Sequence, residues 1–346
     1  MALEGPFMIA DFIPPDKEKY IKSDPQLLAE QKATLGFTAD HFEVTDISLG
    51  ESGTFFFNSS AAIERGPDLL TPYLTATQDR GINVLIYFNV HWYAEHFKKL
   101  HPMWLQQNAQ GELIPASYGS GYYNCVNSTW RDWSLQVIRD LGSYSIDGIF
   151  LDGPIFHVDG CYCPVCRQLF QKRTGKQPPA KPFWGSSEGR AWAQFREDSI
   201  ARYLADARDA LKRVNSEAVI YMNGNLMSPD WASARSNRLL APYQDILGAE
   251  GGFLGNDLRE IPLWRAGATA KLLSTQAEGK PTVVFLAGRH SPWSRYFLAL
   301  REMELLLYQT VAHGANPWYG IYLEHAGEKG TEPVRKFNKF ISDSTA

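Results

Sequence analysis

Eight short apolar runs, each ending in a polar residue or glycine, alternate with stretches of helical periodicity along this chain. No other feature restricts the possible folds so strongly. The runs are "FMIADF", ending near Asp11; "HFEVTDISL", ending near Asp46; "INVLIYFNVHW", ending near Asn89 and His91; and "DGIFLDG", ending at Asp152. They continue with "AVIYMNGN" (Asn223, Asn225), "QDILGAEGG" (Glu250), "PTVVFLAGRH" (Arg289, His290) and "NPWYGIYLEH". Between them, Trp130, Trp133, Val137, Ile138 and Leu141 keep the 3.6-residue spacing of one helix face. Ile200, Tyr203, Leu204, Ala207, Leu211 and Val214 keep another, and residues 296–313 and "EPVRKFNKFISD" supply two more.

Strands alternating with helices imply parallel, right-handed crossovers. Eight such units predict an α/β fold, a closed (β/α)8 TIM barrel forming a single domain over residues 1–346. A doubly wound open sheet is the alternative, but no Gly-rich phosphate fingerprint follows any of the runs. The length of 346 residues suits such a barrel.

Charge and composition narrow the partners. The net charge is −4 and no basic stripe occurs, which argues against nucleic acid. No run reaches the roughly 18 apolar residues of a spanning helix, which argues against a membrane. The start, "MALEGPFMIADF", lacks the features of a signal peptide, so a cytoplasmic protein is expected.

In a barrel of this kind the chemistry sits at the C-terminal ends of the strands and in the loops after them. The strand ends are rich in acids, amides and aromatics, the groups that read sugar hydroxyls and stack on sugar rings. Asp152 follows Ile149, Phe150 and Leu151, where an ionised carboxylate is costly unless it is hydrogen-bonded or functional. Glu250 sits among glycines in "ILGAEGGF". Glycosidic cleavage needs two such carboxyl groups, one as nucleophile or base and one as proton donor. Asp11, Asp46 and Glu43 are rival acids, Asp11 foremost among them. Asn89, His91, Trp92, Asn223, Asn225, Arg289, His290 and Trp293 are candidate substrate contacts or supports. Trp318 and Tyr319 either stack on a sugar or pack the barrel.

Cys161, Cys163 and Cys166 form C-x-C-x-x-C, and Cys125 lies upstream in "GYYNCVNSTW". Four thiolates can close a tetrahedral zinc shell, a structural arrangement that would pin two barrel loops together. Reduced buried thiols or one disulfide are the alternatives, and His157 could replace one cysteine.

Here the sequence resembles a known family. "NCVNSTWRDWSLQVIRDL", "CYCPVCRQLFQKRTGKQPP" and "FWGSSEGRAWAQF" are similar to the corresponding region of family-42 β-galactosidases and related TIM-barrel glycosyl hydrolases. In those enzymes four cysteines of this layout bind zinc near the barrel mouth, and Cys125, Cys161, Cys163 and Cys166 match them. The resemblance covers roughly residues 80–200. It departs at strand four, which ends "FLDGP" in place of the family's Asn-Glu pair. An aspartate there resembles the nucleophile of α-amylase-like, α-galactosidase-like and α-L-fucosidase barrels.

The expectation is therefore a glycoside hydrolase that releases a terminal sugar, with Asp152 as nucleophile and Glu250 as acid/base in a retaining mechanism. It would carry structural zinc and no organic cofactor. Relatives in this family carry further domains, which leaves homo-oligomerisation open. The competing readings are an inverting glycosidase acting on an acidic sugar such as sialic acid, a carbohydrate-binding barrel without catalysis, and a metal-dependent amidohydrolase. Eight scattered histidines fit the last poorly.

Overall fold

The computed structural model describes residues 6–13, 17–117, 119–224, 226, 230–252, 262–288, 297–322 and 329–345. Asn225, Arg289, His290 and Trp293, all named above, lie outside them.

The eight expected strands are present and close on one another. They are β1 (Ile9–Ile13), β2 (Ala39–Glu43), β3 (Asn83–Asn89), β4 (Gly148–Asp152), β5 (Val219–Gly224), β6 (Leu247–Gly252), β7 (Thr282–Ala287) and β8 (Asn316–Tyr322). Each is parallel to its neighbours, in chain order, and β8 pairs with β1 through the register Ile9–Trp318. No helix among the described residues is long and apolar enough to cross a membrane.

One expected boundary moves. The second strand ends at Glu43 rather than near Asp46. Past Glu43 the chain turns away to pair with residues 55–56, Phe56 donating its backbone N–H to the Val44 carbonyl and Thr45 bridging Phe55. Asp46 instead accepts bonds from the backbone and hydroxyl of Ser48, which makes it a turn residue.

The helices form the outer layer: α1 (Pro25–Thr34), α2 (Leu70–Gln78), α3 (Trp130–Gly142), α4 (Pro164–Thr174), α5 (Ser187–Lys212), α6 (Asn237–Leu240), α7 (Arg265–Gln276), α8 (Leu300–Ala312) and α9 (Glu332–Thr345). α1 starts where Asp24 accepts a bond from the Gln26 N–H and Pro25 occupies the first turn. α5 begins earlier than its strongest periodicity suggests, because Ser186 caps it and Trp192, Phe195 and Ser199 extend the buried stripe.

Strand side chains alternate between two cores. Ile9, Ala39, Leu85, Phe150, Tyr221, Phe285 and Trp318 fill the barrel interior. Phe42, Val84, Ile86, Phe88, Ile149 and Leu151 point outward beneath the helices. Asp40 takes that outward direction and is fully buried, so it needs partners. Lys32 of α1 lies 2.6 Å away and the Tyr73 hydroxyl of α2 donates at 2.7 Å, tying two helices to β2.

Candidate active site

Because direction alternates along a strand, Asp152 shares the inward face of β4 with Phe150, and Tyr87 shares that of β3 with Leu85. At the mouth these strand ends meet. Tyr87 donates its hydroxyl to Asp152 Oδ2 in a very short hydrogen bond. Asn223 Nδ2, from the end of β5, donates to Asp152 Oδ1 at 3.2 Å and to Glu250 Oε1 at 2.8 Å. One nitrogen thus bridges both acids. Their facing oxygens can be no farther apart than the sum of those two distances, about 6 Å.

The two carboxyl groups differ in environment. Asp152 keeps some access to solvent and has two donors orienting it. Glu250 also retains accessible surface, but it is packed closely enough by protein that burial raises its pKa. The bond from Asn223 lowers it, the Asp152 charge raises it, and Arg235 lowers it. Arg235 also donates to the Asn223 carbonyl at 2.9 Å, which holds the bridging residue in place.

Behind Asp152 stands His91. Its Nδ1 lies 2.6 Å from the Asp152 carbonyl oxygen, so that nitrogen carries the proton. Gly153 makes this approach possible: its φ is +102°, and a Cβ there would lie 2.7 Å from the His91 Cβ. His91 is therefore a brace for the strand-four end.

Several expected sugar contacts serve other purposes. Asn89 is buried and shapes the following turn, accepting from the backbone N–H groups of His91 and Trp92 and donating to the Trp92 carbonyl. Trp92 donates its indole N–H to the Ser120 carbonyl and packs against the cluster of Ile114, Ala116 and Tyr123. Asp11 is only 3% exposed and accepts the Trp318 indole N–H at 2.7 Å. Trp318 in turn packs against His41, Phe150 and Phe285, with ring centroids 4.6–4.8 Å apart. Asp11 and Trp318 are thus both buried and bonded to each other inside the barrel. Tyr319 points outward, its hydroxyl 3.1 Å from Met303 Sδ of α8, so it is a packing residue. Alternation explains the pair: adjacent residues on a strand face opposite sides.

Two inward residues escaped the reading by strand ends. Tyr87 lies two positions before Asn89 on the same face, a signal that period-two parity carries. Glu43, taken only as a rival acid, is the true end of β2. It is buried, and its pKa is held well above the ordinary carboxylate range by desolvation first and then by the charges of Asp11, Asp46 and Asp152, against the opposing pull of Lys32. Burial therefore favours the protonated form of Glu43.

The four cysteines converge beside this site. Cys125 comes from the β3–α3 connection, and Cys161, Cys163 and Cys166 from the β4–α4 connection and the first turn of α4. All four are buried, none is in a disulfide, and their sulfurs lie within 4.8 Å of one another. Cys125 Sγ is 3.4 Å from Cys166 Sγ and 3.8 Å from Cys163 Sγ. A tetrahedral zinc with bonds of about 2.3 Å requires sulfur–sulfur edges of about 3.8 Å. Asn127 Nδ2 donates to Cys166 Sγ at 3.3 Å, the kind of outer support that ligating thiolates receive. The donor set fits zinc. His157 has its Nδ1 occupied as acceptor of the Asp159 N–H and is not part of the cluster.

Residues 46–153, which span Tyr87, His91, Cys125 and Asp152, match the family described as hypothetical glycosyl hydrolase 6. No curated protein matches the chain. Among solved structures, the glycoside hydrolase domain of PgaB (BpsB) from Bordetella bronchiseptica is 14% identical, with a TM-score of 0.77, over 96% of this chain and 99% of that one. The α-L-fucosidase isoenzyme 2 of Paenibacillus thiaminolyticus is 17% identical, with a TM-score of 0.73, over 99% of this chain and 50% of that one. The β-galactosidase of Bacillus circulans sp. alkalophilus is 15% identical, with a TM-score of 0.74, over 97% and 56%. The chain thus spans about half the length of the fucosidase and of that β-galactosidase, and identities this low show a common fold. The resemblance expected from the cysteine segment and from the strand-four aspartate is borne out: this chain is similar to TIM-barrel glycosidases, and its matched segment to a glycosyl hydrolase family.

Proposed function

We propose that the chain is a glycoside hydrolase that removes a terminal sugar from an oligosaccharide or glycoconjugate with retention of configuration. The observation that carries this reading is the Asn223 bridge between Asp152 and Glu250. Facing oxygens no more than about 6 Å apart suit a retaining pair, whose carboxyl groups stand about 5–5.5 Å apart. An inverting pair needs about 6.5–9.5 Å to admit water.

In the first step Asp152, oriented by Tyr87 and Asn223, attacks the anomeric carbon. The C–O bond to the leaving group breaks, and its oxygen takes the proton from Glu250. Burial and the Asp152 charge both favour that proton on Glu250 beforehand. Once Asp152 is an ester its charge is gone and one cause of the raised pKa disappears, so Glu250, left ionised by the first step, stays a carboxylate and accepts a proton from the attacking water. Water then attacks the anomeric carbon, Asp152 leaves as carboxylate, and the enzyme returns to its starting state.

Zinc belongs to the same proposal. Cys125, Cys161, Cys163 and Cys166 would hold it with no position open to substrate, so its contribution is to fasten the β3–α3 and β4–α4 connections. His91 braces Asp152 from the first of these connections, which links the metal site to the nucleophile through structure alone.

A panel of aryl glycosides of α- and β-linked galactose, glucose, fucose and sialic acid tests the reading. The expected result is turnover of at least one member, lost by a thousandfold or more in Asp152→Asn. For Glu250→Gln the loss should be large with poor leaving groups and small with activated ones, since only the former need the proton. Equal losses with both kinds of leaving group would overturn the role of Glu250. Tight sugar binding without any turnover would favour a binding barrel.

A further inference from the structure

The even strands of the barrel contribute one layer of side chains beneath the acids and another level with them. In the lower layer the rings of His41 (β2), Phe150 (β4) and Trp318 (β8) lie 4.3–4.8 Å from one another. Gly248 (β6) completes the four; a Cβ on it would point inward and meet the Tyr221 ring at 3.1 Å. Direction repeats every second residue along a strand, so the next inward positions are Glu43, Asp152, Glu250 and Gly320. These four form the layer at the mouth. In strand order around the ring, Asp152 stands between Glu43 and Glu250, and Gly320 faces it. The Phe285 ring fills the place beside Gly320, where a Cβ would lie 2.4 Å from it.

Residues of the odd strands reach up to this layer on both flanks of Asp152. Between β4 and β6, Asn223 bonds both Asp152 and Glu250. Between β2 and β4 the corresponding residue is Tyr87, which pairs in register with Glu43. Its hydroxyl goes to Asp152 alone. Among the described residues the Glu43 carboxyl has no hydrogen-bond or ion-pair partner, since the Tyr20 hydroxyl bonds the backbone carbonyl of residue 43.

Glu43 is only 6% exposed, and a polar group so far removed from water is costly to leave without a partner. It is kept at the rim of the space in which Asp152 and Glu250 act. Burial and the charges of Asp11 and Asp152 favour its protonated form, which can donate one hydrogen bond and accept another.

We propose that Glu43 binds a hydroxyl group of the terminal sugar, on the edge of the ring turned away from the leaving group, and so helps to select the sugar that the mouth accepts. This rests on the hydrolase reading. Asp152 attacks the anomeric carbon, the leaving oxygen lies toward Glu250, and the rest of the sugar extends to the other flank of Asp152, where Glu43 stands. Glu43 passes no proton in the reaction; a sugar hydroxyl supplies the partner that the protein withholds.

Binding without turnover tests it. Galactose, glucose, fucose and sialic acid are titrated calorimetrically into the whole protein, and the tightest binder is compared with its monodeoxy derivatives. At least one derivative should bind the native protein about tenfold or more weakly than the parent sugar. Glu43→Ala should weaken the parent by a similar factor, and should bind that same derivative as tightly as the parent to within about threefold. Glu43→Gln, whose amide also donates and accepts, should restore the parent to within about threefold of the native protein. Where the alanine variant fails to fold, Glu43→Met keeps the length of the side chain without its hydrogen bonds, and the outcome expected of alanine is expected of it. A parent affinity unmoved by these two substitutions would overturn the assignment. So would undiminished sensitivity to every deoxy derivative, which is what a merely structural Glu43 would leave, or no binding of any of the four sugars at hundred-millimolar concentration. Because no bond is cleaved in this assay, a failure of the hydrolase reading is seen separately, in the aryl-glycoside panel.

Discussion

Asn223→Ala is the substitution that probes the bridge most sharply. The change removes the nitrogen that lies 2.8 Å from Glu250 Oε1 and 3.2 Å from Asp152 Oδ1, while Arg235 continues to hold the backbone through the residue-223 carbonyl. A hydrogen bond to a charged group contributes about 1.5–3 kcal/mol. The shorter bond stabilises ionised Glu250, so losing it raises the pKa of that acid further. The alkaline limb of the kcat/KM profile, which reports deprotonation of the free enzyme's acid, should move to higher pH. The longer bond orients Asp152, which in the variant keeps the Tyr87 hydroxyl and the His91 ring, whose Nδ1 is 3.8 Å from Oδ2. Loss of that alignment should lower the plateau of kcat/KM about ten- to hundredfold. The assay is initial rate against pH on the best aryl glycoside. A lowered plateau with the alkaline limb unmoved would refute the reasoning, because it would mean that Asn223 does not touch the acid whose proton is used.

Three other outcomes follow from the structure. Burial favours the protonated form of Glu43, and Asp152 and Glu250 carry the proposed chemistry, so Glu43→Gln, which keeps the shape of that form, should lose less than about tenfold in kcat/KM, against about 10²–10⁴ for loss of a general acid; a larger loss would make Glu43 the proton donor. Glu51 is fully buried, accepts from Thr45 and the Gly53 N–H, and has its pKa pushed up to about 8 by burial. The folded state binds that proton more tightly than the unfolded one, so this group's contribution to stability is fully present below about pH 4.5 and is lost as pH rises to about 8. Glu51→Gln should flatten that slope, removing a difference of several kcal/mol between urea melts at pH 5 and pH 8. For the cysteines, metal analysis of the purified protein should find about one zinc per chain, and Cys125→Ser should lower both zinc content and melting temperature.

The barrel was legible because it repeats: eight apolar runs at regular spacing admit few topologies, and Asp152, Glu250 and the cysteine quartet stand where strand and loop patterns put them. What went astray was direction. Trp318 and Tyr319 are neighbours in sequence, yet one floors the barrel and the other packs under α8, and an apolar run that is buried on both faces gives no polarity contrast to tell them apart. The end of β2 was misplaced for a related reason. "VTD" is as strand-like as "HFE", and only the pairing of Val44 and Thr45 with the loop at residues 55–56 draws the chain off the barrel. The Asn223 bridge and the Tyr87 contact are distances between strands, and those depend on barrel closure, which sequence periodicity does not measure.

The central claim is that Asp152 attacks the sugar while Glu250 donates and then recovers a proton. The anomer of the first-formed product, followed by proton NMR before mutarotation on the best substrate of the panel, tests it most directly. Retained configuration is the predicted result, with which a separation of at most about 6 Å between the bridged oxygens agrees. Inverted configuration would contradict the account, because water would then have attacked in place of Asp152.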